Sequence, residues 1–449
     1  MLAIRCFNSP RALFFLFSLL FPVLARASDG PAVFGIPLEF VFFALTLLGV
    51  ALFHHYTLMV ALTGLATITL FKLGFTGFHG VAGFFGLANH LQHEWVTLAN
   101  LLGLLLGFAI LARHFEDSRI PEALPRYLPD DWKGGFVLLV MVFVISAFLD
   151  NIAAALIGGT VAAGVFHRRV HIGYLAAIVA ASNAGGSGSV VGDTTTTMMW
   201  IDGVAPLDVI NAYAAAIPAL LIFGVIAAKQ QQAYAPIQKN AEVHAGIDWA
   251  YVLIVVLILV GAMGTNIVVN THYPELSDAF PFLGVAVWVV VLAMAPLRKP
   301  EWSLLPDATK GSVFLLSLVM CASMMPVEKL PLASWETAFG LGFVSAVFDN
   351  IPLTALALTQ GGYDWGVLAY AVGFGGSMIW FGSSAGVAVS NLFPEARSVG
   401  AWLKGGWHVA VAYVIGFFIM LALVGWHPNT PHKEASTLSS SAAQSVPTH

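Results

Sequence analysis

The chain has 449 residues, of which 58% are hydrophobic and only 10% are charged, and its formal net charge is -5. Soluble domains carry about 25% charged residues, so this composition excludes a water-soluble fold of this length. The mild net charge and the dispersed basic residues exclude a nucleic-acid partner. Because apolar runs of near-spanning length recur along the chain, the sequence predicts an all-α, polytopic membrane protein in contact with the lipid bilayer.

The first 27 residues are typical of a cleavable secretory signal. Arg5 and Arg11 precede an apolar stretch, and Ala25-Arg26-Ala27 places small residues directly before Ser28. Cleavage would leave the mature N-terminus outside the cytoplasm. The alternative is an uncleaved first helix.

The remaining chain divides into two halves with the same order of elements. In the first half, residues 28–228, we predict spans near 36–53, 56–73 and 95–112, short apolar arms at 134–149 and 152–166, a broken span at 172–201 and a full span at 206–228. In the second half, residues 229–426, we predict spans near 250–268, 282–297 and 310–326, short arms at 335–348 and 351–360, a broken span at 365–391 and a last span at 402–424. The tail at 427–449 is rich in Ser, Thr and Pro and is predicted to be disordered.

The basic residues indicate how the short arms are arranged. Counting crossings from an external N-terminus places most of the basic residues in the cytoplasm, as the positive-inside bias requires. These residues are Arg113, Arg119, Arg126, Lys133, Arg168, Arg169, Lys229, Lys239, Arg298, Lys299, Lys310, Arg397 and Lys404. Since basic residues flank the first pair of arms on both sides, and each arm is shorter than the roughly 20 residues of a span, we predict a re-entrant hairpin with its tip at Asp150-Asn151. A second hairpin, with its tip at Asp349-Asn350, is predicted to enter from the opposite side.

Two motifs recur in the same order in both halves. Phe148-Leu149-Asp150-Asn151-Ile152 matches Val347-Phe348-Asp349-Asn350-Ile351 at an offset of 199 residues, and Gly185-Gly186-Ser187 matches Gly375-Gly376-Ser377 at an offset of 190. At the same second offset, Asp193-Thr194 corresponds to Ser383-Ser384. Ordered repetition indicates an internal repeat. Repeats of opposite orientation are a transporter architecture, with the substrate site near the midplane where interrupted helices meet.

The repeated motifs supply the candidate site. The glycines and serines from Asn183 to Ser189 are predicted to break the first helix and to expose backbone groups. Asp150, Asp193 and Asp349 are carboxylates at membrane depth, where a charge is expensive and indicates function. Each of them could instead cap a helix, and the glycines could serve only packing. The predicted ion- or substrate-binding residues are Asp150, Asn151, Asn183, Gly185, Gly186, Ser187, Asp193, Thr194, Thr195, Asp349, Asn350, Gly375, Gly376, Ser377, Ser383 and Ser384.

At these motifs the chain resembles the ion transporter superfamily, and most closely the NhaD-type sodium/proton antiporters, with the citrate-transporter-like and arsenite-pump families as relatives. The stretches that carry the resemblance are Ser146–Asn151, Ser182–Trp200, Ser345–Leu353 and Gly375–Val387. The resemblance implies a homodimer with a scaffold and a moving transport domain. It also implies a Na⁺ site at Asp150, Asn151, Asn183, Asp193 and Thr194, with Thr195 adjacent. The chain departs from that family in having Gly188-Ser189-Val190-Val191-Gly192 where a bulky residue and a Pro usually precede the Gly-Asp.

The expected function is therefore sodium (or lithium)/proton antiport across a bacterial-type inner membrane, with no cofactor and no enzymatic activity. A proton- or sodium-coupled carrier of citrate, another dicarboxylate or arsenite is the first alternative, although no Arg or Lys lies beside the predicted site. An intramembrane protease is a distant alternative, because Gly185-Gly186-Ser187-Gly188 fits a Gly-x-Ser-Gly pattern. A serine nucleophile needs a histidine base within hydrogen-bond reach, and none is predicted at that depth.

Overall fold

The structure is a computed structural model that describes residues 31–53, 56–78, 81–237, 246–273, 276 and 279–429. The predicted signal segment lies outside the described residues. Helices dominate the described chain, which confirms a polytopic helical protein. A two-residue strand β1 (Ala32–Val33) pairs antiparallel with β2 (Ile36–Pro37), a small departure from the purely helical prediction.

The helices of the first half follow the predicted order. They are α1 (Leu38–Leu52), α2 (Thr57–Phe71) with a π-helical turn at Lys72–Thr76, α3 (Gly83–Asp117), α4 (Trp132–Ser146), α5 (Asn151–Val165), α6 (Ile172–Ser187), α7 (Thr194–Ile201) and α8 (Tyr213–Tyr234). Short helical segments also occur at Ile120–Ala123, Leu124–Tyr127 and Pro206–Ile210.

The second half contains the matching set. Its helices are α9 (Trp249–His272), α10 (Phe282–Met294), α11 (Leu305–Ser323), α12 (Trp335–Ser345), α13 (Asn350–Gln360), α14 (Trp365–Gly375), α15 (Ser384–Leu392) and α16 (Trp407–Leu423). Short helical segments lie at Trp302–Leu304, Val327–Lys329, Pro394–Arg397 and Val399–Gly405.

Several helices have the length and composition of membrane spans. Within the described ranges, five helical segments pass this test, namely Thr57–Thr76, Gly83–Asp117, Pro206–Tyr234, Trp249–Val269 and Trp302–Ser323. A sixth is formed if Val399–Gly405 and Trp407–Leu423, which meet at 60°, are counted as one bent span. The arms on either side of Asp150 are apolar but only 15 residues each, which is short of a crossing.

Helix α3 is much longer than the predicted span at 95–112. It has 35 residues, about 52 Å at 1.5 Å per residue, whereas the apolar core of a bilayer is about 30 Å thick. Its first turns contain the polar residues Asn89, His90, His93 and Glu94. Hydropathy marks where the apolar part begins, but polar residues do not end a helix, so the prediction started the element too late.

Six helices pack together as one group, α1 to α3 with α9 to α11. The backbones of α3 and α10 approach each other closely at Gly103 and Gly284, where a side chain on either glycine would meet the facing backbone. Asn100 Oδ1 accepts a hydrogen bond from the Gly284 N–H at 3.0 Å, and the Trp288 indole N–H donates to the Gly103 carbonyl at 3.0 Å. These bonds tie helices of the two halves to each other.

The remaining helices surround α6 and α14, which contact each other. The residues of α14 and nearly all of those of α6 are buried, as expected for helices that are apolar all round. The outer contacts are reciprocal: α15 of the second half packs on α5 of the first, and α7 of the first packs on α13 of the second. The second group meets the first through α11 with α13 and α3 with α7.

The predicted disordered tail begins too early at His427. The His427 N–H donates to Asp364 Oδ2 at 2.8 Å, and Asn429 Nδ2 donates to Asp208 Oδ2 at 3.2 Å. The Trp365 indole N–H donates to the Asn429 carbonyl at 2.7 Å. Composition alone misplaced this boundary, because the bonds that hold residues 427–429 come from distant loops.

Candidate functional site

Two helix interruptions form the centre of the second group of helices. The first lies between Ser187, where α6 ends, and Thr194, where α7 begins, and the second lies between Gly375 and Ser384. The first interruption starts later than predicted, because Asn183 to Ser187 are still helical and the chain leaves the helix only at Gly188. The Gly-Gly pair therefore lies within the helix, where Gly185 packs against the backbone of α4.

The paired glycines allow backbones to approach each other. A Cβ on Gly185 would overlap the Phe143 carbonyl of α4, and a Cβ on Gly375 would overlap the Gly342 carbonyl of α12. Gly186 and Gly376 face the carbonyls of Gly192 and Gly382 in the same way, within their own interruptions. The packing alternative is thus observed for these glycines, and a direct part in ion binding stays a prediction.

The aspartates at the two tips occupy equivalent positions. Asp150 is the N-cap of α5, where it accepts from the Ile152 N–H at 3.2 Å, and it also interacts with the Thr194 side chain. Asp349 is the N-cap of α13, where it accepts from the Ile351 N–H at 3.0 Å. Helix capping is therefore one role of both aspartates.

Each tip is also bound to the helix halves of its own repeat. The Ser384 hydroxyl donates to Asp349 Oδ2 at 3.0 Å. In the first repeat, its counterpart Thr194 interacts with Asp150 in the same way. The Ser146 hydroxyl donates to the Ser182 carbonyl at 2.6 Å, and its counterpart Ser345 donates to the Val372 carbonyl at 2.7 Å. The two halves thus use the same bonds to hold their tips.

Asp193 is the most deeply buried of the three carboxylates, with 2% of its surface exposed. It is the N-cap of α7 and accepts from the Thr195 N–H at 3.0 Å. From the other half, the Asn350 amide donates to Asp193 Oδ2 at 3.4 Å. The Thr195 hydroxyl is fully buried beside this carboxylate, and no partner among the described residues meets the geometric limits of a hydrogen bond with it.

Asn183 joins the two halves through its side chain. Its Oδ1 accepts from Asn151 Nδ2 at 3.0 Å, and its own Nδ2 donates to Ser377 Oγ at 2.9 Å and to Ser383 Oγ at 3.1 Å. Asn183, Ser377 and Ser383 are completely buried. The predicted site residues are therefore brought together, with Asn183 bonded to Asn151 and Asp193 bonded to Asn350.

Three residues at this centre were missed by the sequence reasoning. The Tyr213 hydroxyl donates to the Gly185 carbonyl at 2.9 Å, and the Trp402 indole N–H donates to the Ser377 carbonyl at 3.3 Å. Gly373 lies directly opposite Asp193. The repeat offset of 190, which relates Gly373 to Asn183, was a signal that could have identified it.

The side chains that cap the helices at this centre are acidic, with one hydroxyl. The N-termini of α5, α7 and α13 are each capped by an aspartate of the chain, and that of α15 is capped by Ser383. Among the described residues, the hydrogen bonds of this cluster involve amides, hydroxyls, carboxylates and backbone groups, and the ion pairs of Lys and Arg lie elsewhere. No group of three or more His, Cys, Asp or Glu side chains in the described ranges could hold a metal ion. The amides, hydroxyls, carboxylates and backbone carbonyls of the centre nevertheless supply oxygen atoms, which are the ligands that a hard cation prefers.

Ser187 is not arranged as a nucleophile. Its hydroxyl donates to the Ala184 carbonyl of its own helix at 2.8 Å. An activated serine instead donates to a base such as histidine. The geometry therefore gives no support to the protease alternative.

Comparisons with known proteins identify the family of the chain. A family model described as "Citrate transporter" (CitMHS) matches residues 33–423. "Sodium/proton antiporter 1" of Arabidopsis thaliana is 24% identical over 376 residues, which are 72% of this chain and 62% of that protein. "Sodium/proton antiporter 2" of the same plant is 25% identical and covers 67% and 80%, and "Na(+)/H(+) antiporter NhaD" of Vibrio parahaemolyticus is 26% identical and covers 67% and 84%.

The match thus spans less than two thirds of the first of these antiporters and most of the other two. The names of the family and of the relatives are those of transporters and not of enzymes. Since the family model covers nearly all of the described residues, the chain belongs to the citrate transporter family.

Proposed function

We propose that this protein is a secondary sodium (or lithium)/proton antiporter. The observation that carries the proposal is Asp193, a carboxylate that is 2% exposed and lies where the two interrupted helices meet. Within the described part of the chain it accepts hydrogen bonds from the Thr195 N–H and the Asn350 amide. Such a charge is costly at membrane depth. A bound proton or a bound cation would each neutralise it, and competition between the two for one site produces exchange.

The ligands proposed for the cation are those implied by the family resemblance, Asp150, Asn151, Asn183, Asp193 and Thr194. Their arrangement supports this role, because Thr194 joins Asp150 to the start of α7, and Asn151 and Asn183 hydrogen bond beside the same interruption. The buried Thr195 hydroxyl provides a further oxygen next to Asp193. Na⁺ and Li⁺ are hard cations that such oxygens suit.

The charge of the helix N-termini argues against an anionic cargo. A bare helix N-terminus attracts anions through its dipole and its free N–H groups. In this protein Asp150, Asp193 and Asp349 already occupy three of the four N-termini with carboxylates. A citrate or dicarboxylate ion would meet these negative charges, whereas a cation would be attracted to them.

Alternating access is proposed to come from two inverted repeats, residues 28–228 and 229–426, each with a re-entrant hairpin. The reciprocal packing of α15 on α5 and of α7 on α13 supports a two-fold relation. The loop contacts agree with the predicted sides. Arg113 pairs with Glu301 at 2.6 Å, between two loops predicted to be cytoplasmic, and Asn429 bonds Asp208 between segments predicted to be external.

The remaining details extend this proposal. We infer that the protein lies in a bacterial-type inner membrane after loss of its signal segment, and that it works as a homodimer. The first group of helices, α1 to α3 with α9 to α11, would be the scaffold, and the second group would be the moving transport domain. Relative movement of the two would expose the centre to each side in turn.

Cysteine accessibility tests the inverted arrangement. Single cysteines at Tyr127 and Arg169 flank the first hairpin, and single cysteines at Leu332 and Leu207 mark the opposite face, with both native cysteines, Cys6 and Cys321, replaced by Ser. All four positions are exposed. We expect an impermeant maleimide to label the first pair only from the cytoplasmic side and the second pair only from outside. Labelling of Arg169→Cys and Leu332→Cys from one common side would rule out the inverted repeats.

A flux assay tests the proposed cargo. Proteoliposomes with an imposed proton gradient are given Na⁺, Li⁺, K⁺, citrate or arsenite, and internal pH is recorded. We expect Na⁺ and Li⁺ to dissipate the gradient and the other solutes to match protein-free vesicles. Because the family is described as citrate transporters, citrate is the most informative alternative cargo. Proton-coupled citrate uptake without Na⁺ exchange would replace the antiport proposal.

A further inference from the structure

Gly373 is the counterpart of Asn183 in the second repeat, and the two positions differ in their side chains. It lies in α14, 190 residues after Asn183, the same offset that relates Ser187 to Ser377 and Asp193 to Ser383. Asn183 contacts Ser377 and Ser383. A Cβ on Gly373 would lie 3.5 Å from Ser187 Cβ and 3.5 Å from Asp193 Oδ2. The two positions therefore face equivalent residues of the opposite repeat, but only one of them carries an amide.

Packing does not explain why position 373 is glycine. At Gly185, Gly186, Gly375 and Gly376 an added Cβ would meet a backbone carbonyl well inside contact distance. At Gly373 the nearest atoms are at ordinary van der Waals distance. A glycine inside a helix costs about 1 kcal/mol relative to alanine, so the missing side chain requires another reason.

Asn350 supports the same comparison. Its counterpart Asn151 donates to the side chain of Asn183 at 3.0 Å. Because Gly373 has no side chain, the Asn350 amide donates instead to Asp193 Oδ2, at the long distance of 3.4 Å. Asp193, Ser187 and Asn350 are each at most 2% exposed. Asp193 and Ser187 thus border the space that a side chain on Gly373 would enter, and Asn350 bonds the Asp193 carboxylate oxygen that faces this space.

These groups can supply oxygens to a cation. Asp193 provides a carboxylate, and Asn350 can turn its amide to present Oδ1. The Ser187 hydroxyl proton is engaged by the Ala184 carbonyl at 2.8 Å, so its lone pairs stay available. The Asn183 Oδ1 atom, in contrast, already accepts a hydrogen bond from Asn151 Nδ2.

We propose that the transported cation is coordinated in the space in front of Gly373, by Asp193, Asn350 and Ser187, and that the missing side chain at position 373 sets the size of ion that is accepted. Asn183, held by Ser377 and Ser383, is then a positioning residue that joins the repeats. This inference rests on the proposed antiport. It places the cation closer to the second repeat than the ligands implied by the family resemblance would.

Substitutions at Gly373 test the proposal. Gly373→Ala adds one methyl group at van der Waals distance, so we expect it to fold. A single extra carbon in a binding pocket changes discrimination by roughly 10-fold or more. We therefore expect the apparent KM for Na⁺ to rise about 10-fold and the KM for the smaller Li⁺ to rise less. Gly373→Asn would place an amide where Asn183 has one in the other repeat and is expected to abolish exchange of both ions.

Controls separate this proposal from the antiport proposal. Gly340→Ala in α12, where an added Cβ meets no atom within 4 Å, is expected to leave both KM values unchanged. If the unmodified protein exchanges neither ion, the antiport proposal fails. If it exchanges Na⁺ and Gly373→Ala keeps the native KM values for both ions, or Gly373→Asn still exchanges, the placement of the cation is wrong.

A binding readout covers the case of low transport activity. Na⁺ should stabilise the detergent-purified protein against thermal unfolding, since a ligand that binds only the folded state stabilises it. We expect Gly373→Ala to need about 10-fold more Na⁺ for the same stabilisation. Asn350→Ala removes an amide without adding atoms and should also need more Na⁺. Native Na⁺ dependence in both variants would overturn the proposal.

Discussion

Asp193→Asn is expected to abolish cation/proton exchange while leaving the protein folded. The amide has the same shape and can still cap α7 through the Thr195 N–H, since Asn is as good an N-cap as Asp. It can neither exchange a proton at neutral pH nor supply the charge that holds a cation. We expect the rate of Na⁺-driven pH change in proteoliposomes to fall at least about 100-fold, close to 3 kcal/mol.

The matched control for this variant is Asp307→Asn. Asp307 pairs with Lys310 at 2.8 Å, and its side chain is 85% exposed, so removal of its charge should leave exchange unchanged. Asp150→Asn is expected to reduce exchange less than Asp193→Asn, because Asp150 is only partly buried at its tip. Undiminished exchange in both Asp193→Asn and Asp150→Asn would refute the antiport proposal.

Gly185→Ala is expected to be a strongly damaging single-methyl change in the transport centre. Its Cβ would overlap the carbonyl and Cα of Phe143 in α4, and a backbone cannot rotate away as a side chain can. Overpacking typically costs about 1–3 kcal/mol. A loss of 1 kcal/mol lowers the melting temperature by about 2–4 °C in domains of 150–250 residues. We expect a clear fall in the melting temperature of the detergent-purified protein and a loss of exchange.

Two further variants show whether the effect is specific. Gly375→Ala, which faces the Gly342 backbone in the second repeat, should behave like Gly185→Ala. Gly164→Ala, near the end of α5, adds a Cβ that meets nothing within 4 Å and should change the melting temperature little. Equal melting temperatures for Gly185→Ala and Gly164→Ala would mean that close backbone contact does not explain why the Gly-Gly pair recurs in both repeats.

Features that depend on local composition were predictable from the sequence. Apolar segments, basic loops and two ordered motifs led to a polytopic helical protein, to the two interruptions and to a transporter. They also led to the tip residues Asp150 and Asp349, which the structure shows as N-caps. Hydropathy, charge and repetition depend only on the order of residues in the sequence, so they can be recognised without knowledge of the fold.

Contacts between distant residues could not be predicted in the same way. The first interruption starts late because α4 packs closely against Gly185, which the sequence does not show. The first helical turns of α3 have neither the hydropathy nor the residue spacing that would predict them. The bonds of Asn183 to Ser377 and Ser383 cross about half of the chain.

The sequence by itself thus determined the membrane class, the repeat and the identity of the acidic residues. Only the tertiary structure decided which glycines allow backbones to approach each other and that Gly373 faces Asp193. The physical reason is that a glycine in the sequence shows only the absence of a side chain, and what occupies or borders that space is set by helices that fold together from opposite halves.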